Sequence, residues 1–263
     1  MRILFLGDLV GKPGYTAMHQ QAQILRKELS LDALVVNAEN AADGSGLTNR
    51  QFRRLIDSGI DAITMGDHIY RQWELAKTLR SSDKIVKPAN FPADSPGRCW
   101  TIVPTSDGGS LAVVSLLGRV FMRPVDCPFQ AIDRALDEIG DQTQHILVDI
   151  HAEATSDKQV IGRYLDGRVS AVIGTHTHVP TADGCIFPGG TAFQCDVGMS
   201  GAYESIIGRD IERVTLTTRT AEPTHFNVAT RDVRLCGAIV DIDSEGQAIS
   251  IERFEKRIKK SHS

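Results

Sequence analysis

Two histidines separated by one residue, His176 and His178, follow the apolar run Ala171, Val172, Ile173 and its terminating Gly174. Residues two apart on an extended chain point to the same side, so both imidazoles are expected to face one point just past a buried strand. Such a pair suits a transition metal. Four more strand-like segments end in ligand-type residues: RILFLG in Asp8, ALVVN in Glu39 and Asn40, DAITM in Asp67 and His68, and HILVDI in His151. Carboxylates and imidazoles have little reason to recur at strand ends unless they converge. The set is too large for one ion, so two are inferred, of a kind that takes mixed oxygen and nitrogen donors: iron, manganese or zinc. Two such ions side by side clamp a phosphoryl group and hold a hydroxide for in-line attack.

The elements that must position these groups alternate strand with helix. Residues 2–7 are read as a first strand, followed by a helix from about Tyr15 to Leu29, and Ala33–Asn37 as a second. Thr48 and Gln51 have the spacing of a capping box for a helix to about Ser58, and Asp61–Met65 is a third strand. This alternation predicts parallel β-α-β units in an α/β fold. Further strands are expected at Lys84–Pro92, Thr101–Pro104, Leu111–Leu117, His145–Ile150, Thr191–Cys195 and Thr215–Thr218, with a hairpin over Val233–Ile251. Helices are expected at Pro128–Ile139 and, behind a Ser156/Gln159 capping box, up to Asp166-Gly167. The basic stretch Lys256–Ser263 reads as a solvated tail. No repeat or linker interrupts residues 1–263, so a single domain is expected.

The 263 residues carry a net charge of −4, which gives no general attraction to nucleic acid or anionic membrane. Any bound anion must be held locally. The five cysteines are scattered, without a C-x-x-C pair, and read as reduced thiols of a cytoplasmic protein. No apolar run is long enough for a membrane span. The lysine-bearing loop Gly7–Gly14 is not a Walker A loop: its glycine spacing is too short, and proline follows Lys12 where Ser or Thr must reach magnesium.

FLGDLVGKPG, NAENAADGSGLT, TMGDHIY, KPANFP, GRVFMRP, VDIHAEATSDK, GTHTHVPTADG and DVGMSGAYESIIG occur in that order. Together they resemble the YmdB-like phosphodiesterases of the calcineurin-like metallophosphoesterase superfamily, across nearly the whole chain. The resemblance implies a four-layer αββα sandwich, two central sheets flanked by helices, and a cyclic-nucleotide substrate such as 2′,3′-cyclic AMP. By position it implies that Asp8 and His178 hold one ion, that Asp67, His151 and His176 hold the other, and that Glu39 bridges them. Asn40 would be a further ligand or an orienting group. Val10 stands where the broader superfamily has a histidine, as in the YmdB-like branch. The departure from that branch is Asp67, where its pattern has asparagine; the extra negative charge is expected to weaken attraction for an anionic diester or favour trivalent iron.

His68, beside a ligand, is the candidate general acid for the leaving alkoxide; its alternative role is a hydrogen bond that orients a neighbour. Asp149, Glu153 and Asp183 are candidate acceptors for ligating histidines. Lys12, Asn90, Arg119 and Arg123 are weaker candidates for substrate phosphate, and His19, His145, His225 and His262 receive no role. The leading reading is a dinuclear phosphodiesterase acting on a small cyclic nucleotide, in a chain that is monomeric or self-associating. A phosphomonoesterase or other metal-assisted hydrolase is the first alternative, and a non-catalytic metal- or nucleotide-binding regulator the second.

Overall fold

The structure, a computed structural model, describes residues 1–259. Short apolar runs with no polar face make strands that must be covered on both sides, and the chain sorts them into two sheets. In the first, β1 (Arg2–Leu6), β2 (Ala33–Asn37), β3 (Ala62–Thr64) and β4 (Ile85–Val86) run parallel in that order. The hairpin of β12 (Val233–Ile242) and β13 (Ala248–Arg257) closes the other side through antiparallel pairing of β12 with β1 and with β11 (Gly201–Ala202). In the second sheet, β6 (Ser110–Leu117), β7 (Ile146–His151), β8 (Ala171–Thr175) and β10 (Ala192–Gln194) are parallel. Its antiparallel edges are β5 (Trp100–Pro104) and β9 (Cys185–Ile186).

The side-chain period of two divides each sheet between two cores. Ile3, Phe5, Val35 and Val240 of the first sheet pack with Val113, Leu147 and Ile173 of the second. The alternate residues Leu4, Leu6, Leu34, Val36 and Ile63 face α1 (Gly11–Glu28), α2 (Asn49–Asp57) and α3 (Leu75–Ser81). On the second sheet Val114, Leu116, Val148, Ile150 and Val172 face α4 (Pro128–Ile139) and α5 (Thr155–Tyr164).

Several local expectations change. Helix α1 starts at Gly11 rather than Tyr15, because Pro13 in the first turn forfeits only an N–H that has no intrahelical partner. Of Lys84–Pro92 only Ile85–Val86 is strand. Thr215–Thr218, expected as a strand, lies in the helix α6 (Ile211–Thr220). The β-branched residues there suggest a strand, but Asp210 caps the segment by accepting from Arg213 N, and no sheet edge pairs with it. The Thr48/Gln51 capping box forms with both of its bonds. The Ser156/Gln159 box does not, since α5 begins at Thr155 behind Ala154 without a side-chain cap. Lys256 and Arg257 belong to β13, not to a tail, and Lys256 Nζ reaches Glu28; residues 260–263 lie outside the described residues.

Candidate metal centre

Parallel strands deliver their carboxyl ends to one edge, and here the edges of both sheets meet. Asp8 follows β1, Glu39 and Asn40 follow β2, Asp67 and His68 follow β3, His151 ends β7, and His176 and His178 follow β8. Asp8, Glu39 and His151 are completely buried.

One group of ligand atoms centres on His151 Nε2. Glu39 Oε1 is 3.1 Å away, Asp67 Oδ1 3.3 Å and His176 Nδ1 3.0 Å. Donors bound to one transition-metal ion at ~2.0–2.2 Å stand roughly 3–3.5 Å from one another, so these residues fit a metal. Asp67 Oδ1 is buried without a hydrogen-bond donor, which an ion would satisfy. Gly66 leaves the space: a Cβ there would lie 2.3 Å from Glu39 Oε2 and 2.4 Å from His151 Nε2. A second pair of ligand atoms is Asp8 Oδ1 and His178 Nε2, 3.8 Å apart; Asn40 turns its amide nitrogen, not its oxygen, toward them and so sits as an orienting group, not as the ligand it was also expected to be. Asn40 Nδ2 lies 3.3 Å from Asp8 Oδ1, 3.3 Å from Glu39 Oε1 and 3.2 Å from His178 Nε2. Asn40 Nδ2 is a hydrogen-bond donor and no ligand atom, and it links Glu39 Oε1 to Asp8 and His178.

The electrostatics of the site call for a cation. Burial disfavours a proton on His151, but the carboxylates of Glu39, Asp67 and Asp8 outweigh it and raise its pKa well above the usual histidine value. Burial likewise pushes Asp8 and Asp67 up, and the surrounding histidines more than reverse it, leaving both carboxyls below their ordinary value. Burial and the charge of His151 lower His176.

The backbone at the two histidines is not the extended chain expected. His176 has φ 99° and His178 φ 67°, so the chain turns at each and sends the rings to different groups. Asp8 Oδ2 accepts from His176 N at 3.1 Å. Thr177 between them is held by Asp196, whose buried carboxylate also receives Lys158 Nζ at 2.7 Å.

Each of these three histidines has its outward nitrogen tied to an acceptor, which leaves the inward nitrogen's lone pair free to ligate. His151 Nδ1 is 2.8 Å from Thr175 Oγ1, which in turn donates to Asp149 at 2.6 Å. Asn37 and Thr64 also donate to Asp149; burial nonetheless pushes its carboxyl up to about 6. His176 Nε2 is 3.2 Å from Glu153, and His178 Nδ1 is 2.9 Å from the carbonyl of Ile207. Glu153 thus does what its position suggested, and Asp149 works through Thr175. Asp183 is elsewhere, accepting from Thr181, Gln159 and Cys195 N. Asn90 braces Leu117 and Asp126. Thr175→Val removes the bond that orients His151 and is expected to weaken metal binding about 10- to 100-fold in a chelator competition titration.

Thr175, Ile207 and Arg209 were missed by sequence reasoning. Ile206 and Arg209 exchange two 2.9 Å backbone hydrogen bonds around Ile207 (φ 44°) and Gly208 (φ 95°), a type I′ turn. Ile in the left-handed region costs about 1–2 kcal/mol, and the turn aims its carbonyl at His178. Asn tolerates that conformation, so Ile207→Asn is expected to raise the melting temperature by about 3 °C for ~1 kcal/mol; a lower value would mean that this half-exposed side chain packs. Arg209 donates to the carbonyls of Asp43, Gly44 and Phe226, locking the loop after β2 over the site.

His68 is half-buried, with Nδ1 2.7 Å from Asn40 Oδ1 and its backbone N–H on Glu39 Oε2 at 3.0 Å. The Asn40 amide places its nitrogen toward Asp8, Glu39 and His178 and its oxygen toward His68, a placement that orients the imidazole. His68, Glu39, Asn40, His176, His178, Glu153 and Arg209 line a cavity of about 310 Å³. A larger cavity of about 390 Å³ lies at the opposite ends of β7 and β8, among Thr143, Gly167 and Gly190; among the described residues no metal-ligating group lies there.

A family model for YmdB-like proteins matches residues 4–254. The chain is 44% identical over 255 residues to the 2′,3′-cyclic-nucleotide 2′-phosphodiesterase of Bacillus subtilis (strain 168), covering 97% of this chain and 96% of that one. A crystal structure of a hypothetical protein from Thermus thermophilus superposes with a TM-score of 0.91 at 39% identity, covering 98% of this chain and 99% of that one. One described as a novel phosphatase, from Mycoplasma pneumoniae, superposes with 0.89 at 29% identity, covering 98% and 93%. With a match that spans both sheets and every strand end at the candidate centre, the chain belongs to the YmdB-like family.

Proposed function

We propose that the protein is a metal-dependent phosphodiesterase that opens 2′,3′-cyclic nucleotides with two ions. The observation that carries this reading is the convergence of three histidines from the second sheet, each with its outward nitrogen tied to an acceptor, on carboxylates from the first. The B. subtilis relative's named activity supports the substrate class. In this reading Glu39, Asp67, His151 and His176 hold one ion, Asp8, His178 and Glu39 the other, with Asn40 beside them; mixed carboxylate and imidazole donors suit iron or manganese. One domain of four layers, helices outside two sheets, accounts for the three cores, and five free thiols fit a cytoplasmic setting.

Bound there, the ions would supply a nucleophile at neutral pH and neutralise charge on the phosphoryl oxygens. The chain's own residues do the rest. Thr175, Glu153 and the Ile207 carbonyl hold the three imidazoles in place. Asn40 holds the His68 ring by Nδ1, leaving Nε2 as the nitrogen that hands a proton to the departing ribose oxygen. The cavity, open on the side of Glu153 and Ile207, receives the phosphoryl group beside these residues.

The test is to incubate manganese- or iron-loaded protein with 2′,3′-cyclic AMP and identify the product isomer. The reading expects a single isomer; no turnover with two ions bound would reject this substrate class. A faster reaction with a monoester would favour the phosphatase activity for which the M. pneumoniae neighbour is described. Asp67 makes the centre one unit less positive than asparagine would. Asp67→Asn is therefore expected to lower KM for an anionic diester severalfold and to shift metal preference away from trivalent iron. Unchanged KM and unchanged metal content would remove Asp67 from the account.

A further inference from the structure

The loop after β2 has a cavity on each side. Glu39, Asn40 and Gly44 line the metal cavity; Ala41, Ala42 and Asp43 line a second, of about 380 Å³. The segment after β1 is shared in the same way, with Val10 on the metal side and Lys12 on the other. The second cavity has an apolar floor of Tyr15, Ala41 and Ala42 and a rim of three exposed cations, Lys12, Arg50 and Arg54.

Among the described residues none of these cations has a carboxylate within 4.0 Å. Arg50 and Arg54 stand four apart in α2, where like charges destabilise a helix. Asp43 adds one exposed carboxylate to the same lining, so the cavity carries two net positive charges in a chain of net charge −4. The ridge between the cavities is braced: Gly11 N donates to Asn40 O at 2.8 Å, Gln51 Nε2 to Ala41 O at 2.9 Å, and Arg209 Nη2 to Gly44 O at 2.8 Å. These bonds tie the ridge to α1, to α2 and to the turn that carries Arg209.

We propose that the Lys12, Arg50 and Arg54 cavity binds the next phosphate and nucleoside of a substrate longer than a mononucleotide: a short RNA strand whose 3′ end carries the cyclic phosphate. This inference rests on the phosphodiesterase reading and names its substrate. In such a strand the 5′ oxygen of the terminal ribose leads to a second phosphate. Cations on the rim receive that phosphate, and the apolar floor receives the attached nucleoside. The attraction is confined to one cavity, which accords with a net charge that gives no general affinity for nucleic acid.

The experiment compares kcat/KM for 2′,3′-cyclic AMP with that for a triadenylate ending in a 2′,3′-cyclic phosphate, using metal-loaded wild-type protein and the R50A/R54A variant. Both side chains are exposed, and the melting temperature verifies the fold. The wild type is expected to favour the trinucleotide about tenfold, by KM, with the preference shrinking between 50 and 200 mM salt. In the variant the ratio of the two substrates falls to about one. No preference in the wild type, or a preference that survives in the variant, overturns the proposal. If the loaded protein turns over neither substrate, the phosphodiesterase reading fails separately. Fluorescence anisotropy with a labelled 3′-phosphorylated triadenylate then decides the cavity's role: binding lost in the variant supports it, and equal binding overturns it.

Discussion

Glu39→Gln is expected to lower diester turnover on the order of 10³-fold and to reduce the metal retained after dialysis. Glu39 is completely buried, and its Oε1 lies 3.1 Å from His151 Nε2 and accepts from Asn40 Nδ2 at 3.3 Å. Its other oxygen accepts the backbone N–H of His68. Glutamine preserves the shape but removes a negative charge and replaces one acceptor oxygen with a donor NH₂, which cannot ligate an ion beside the imidazole. The effect must appear in metal content as well as in rate. A variant with full metal content and full rate would mean that Glu39 only positions His68.

His68→Ala separates acid catalysis from metal binding. Its imidazole contacts Asn40 through Nδ1 and stands 3.8 Å from Asp67 through Nε2. Losing the proton donor is expected to lower kcat by about 10²–10⁴-fold while both ions stay bound. A leaving group that departs without a proton, such as p-nitrophenolate, recovers much of the loss, because it no longer needs the acid. An unchanged kcat on the nucleotide, with metal bound, would end the acid role; an equal loss on both substrates would assign His68 to positioning.

Much of this centre was legible because parallel strands buried on both faces have a plain signature. ALVVN and HILVDI are continuous apolar runs, and the residues just after such a run emerge at the strand's carboxyl end. Asp8, Glu39, Asp67, His151 and His176 were found that way; the structure brings the last four to one point and sets Asp8 against the backbone of His176. The splitting of these strands into two sheets was not legible from strand order; it came from the resemblance. The geometry of His-x-His was misjudged, because alternation holds only while the chain stays extended, and Asp8 and Asp196 seize the backbone at His176 and Thr177. The Ile207 carbonyl that orients His178 was invisible in principle, since every residue has a carbonyl and only the turn aims this one. Thr175 was passed over because the strand was read as ending at Gly174, although the strand runs on to Thr175 and its hydroxyl is the link between His151 and Asp149. The threonine-rich α6 misled by propensity, which yields where no sheet edge is on offer.

The central claim is that two ions in this one centre carry out diester hydrolysis. Its most direct test is to strip the protein with a chelator, add manganese back in measured equivalents, and follow both bound metal and turnover of a generic diester. The account predicts no turnover in the stripped protein and restoration that is complete at two ions per chain. Full activity in the stripped protein, or full restoration at one ion per chain, would contradict it.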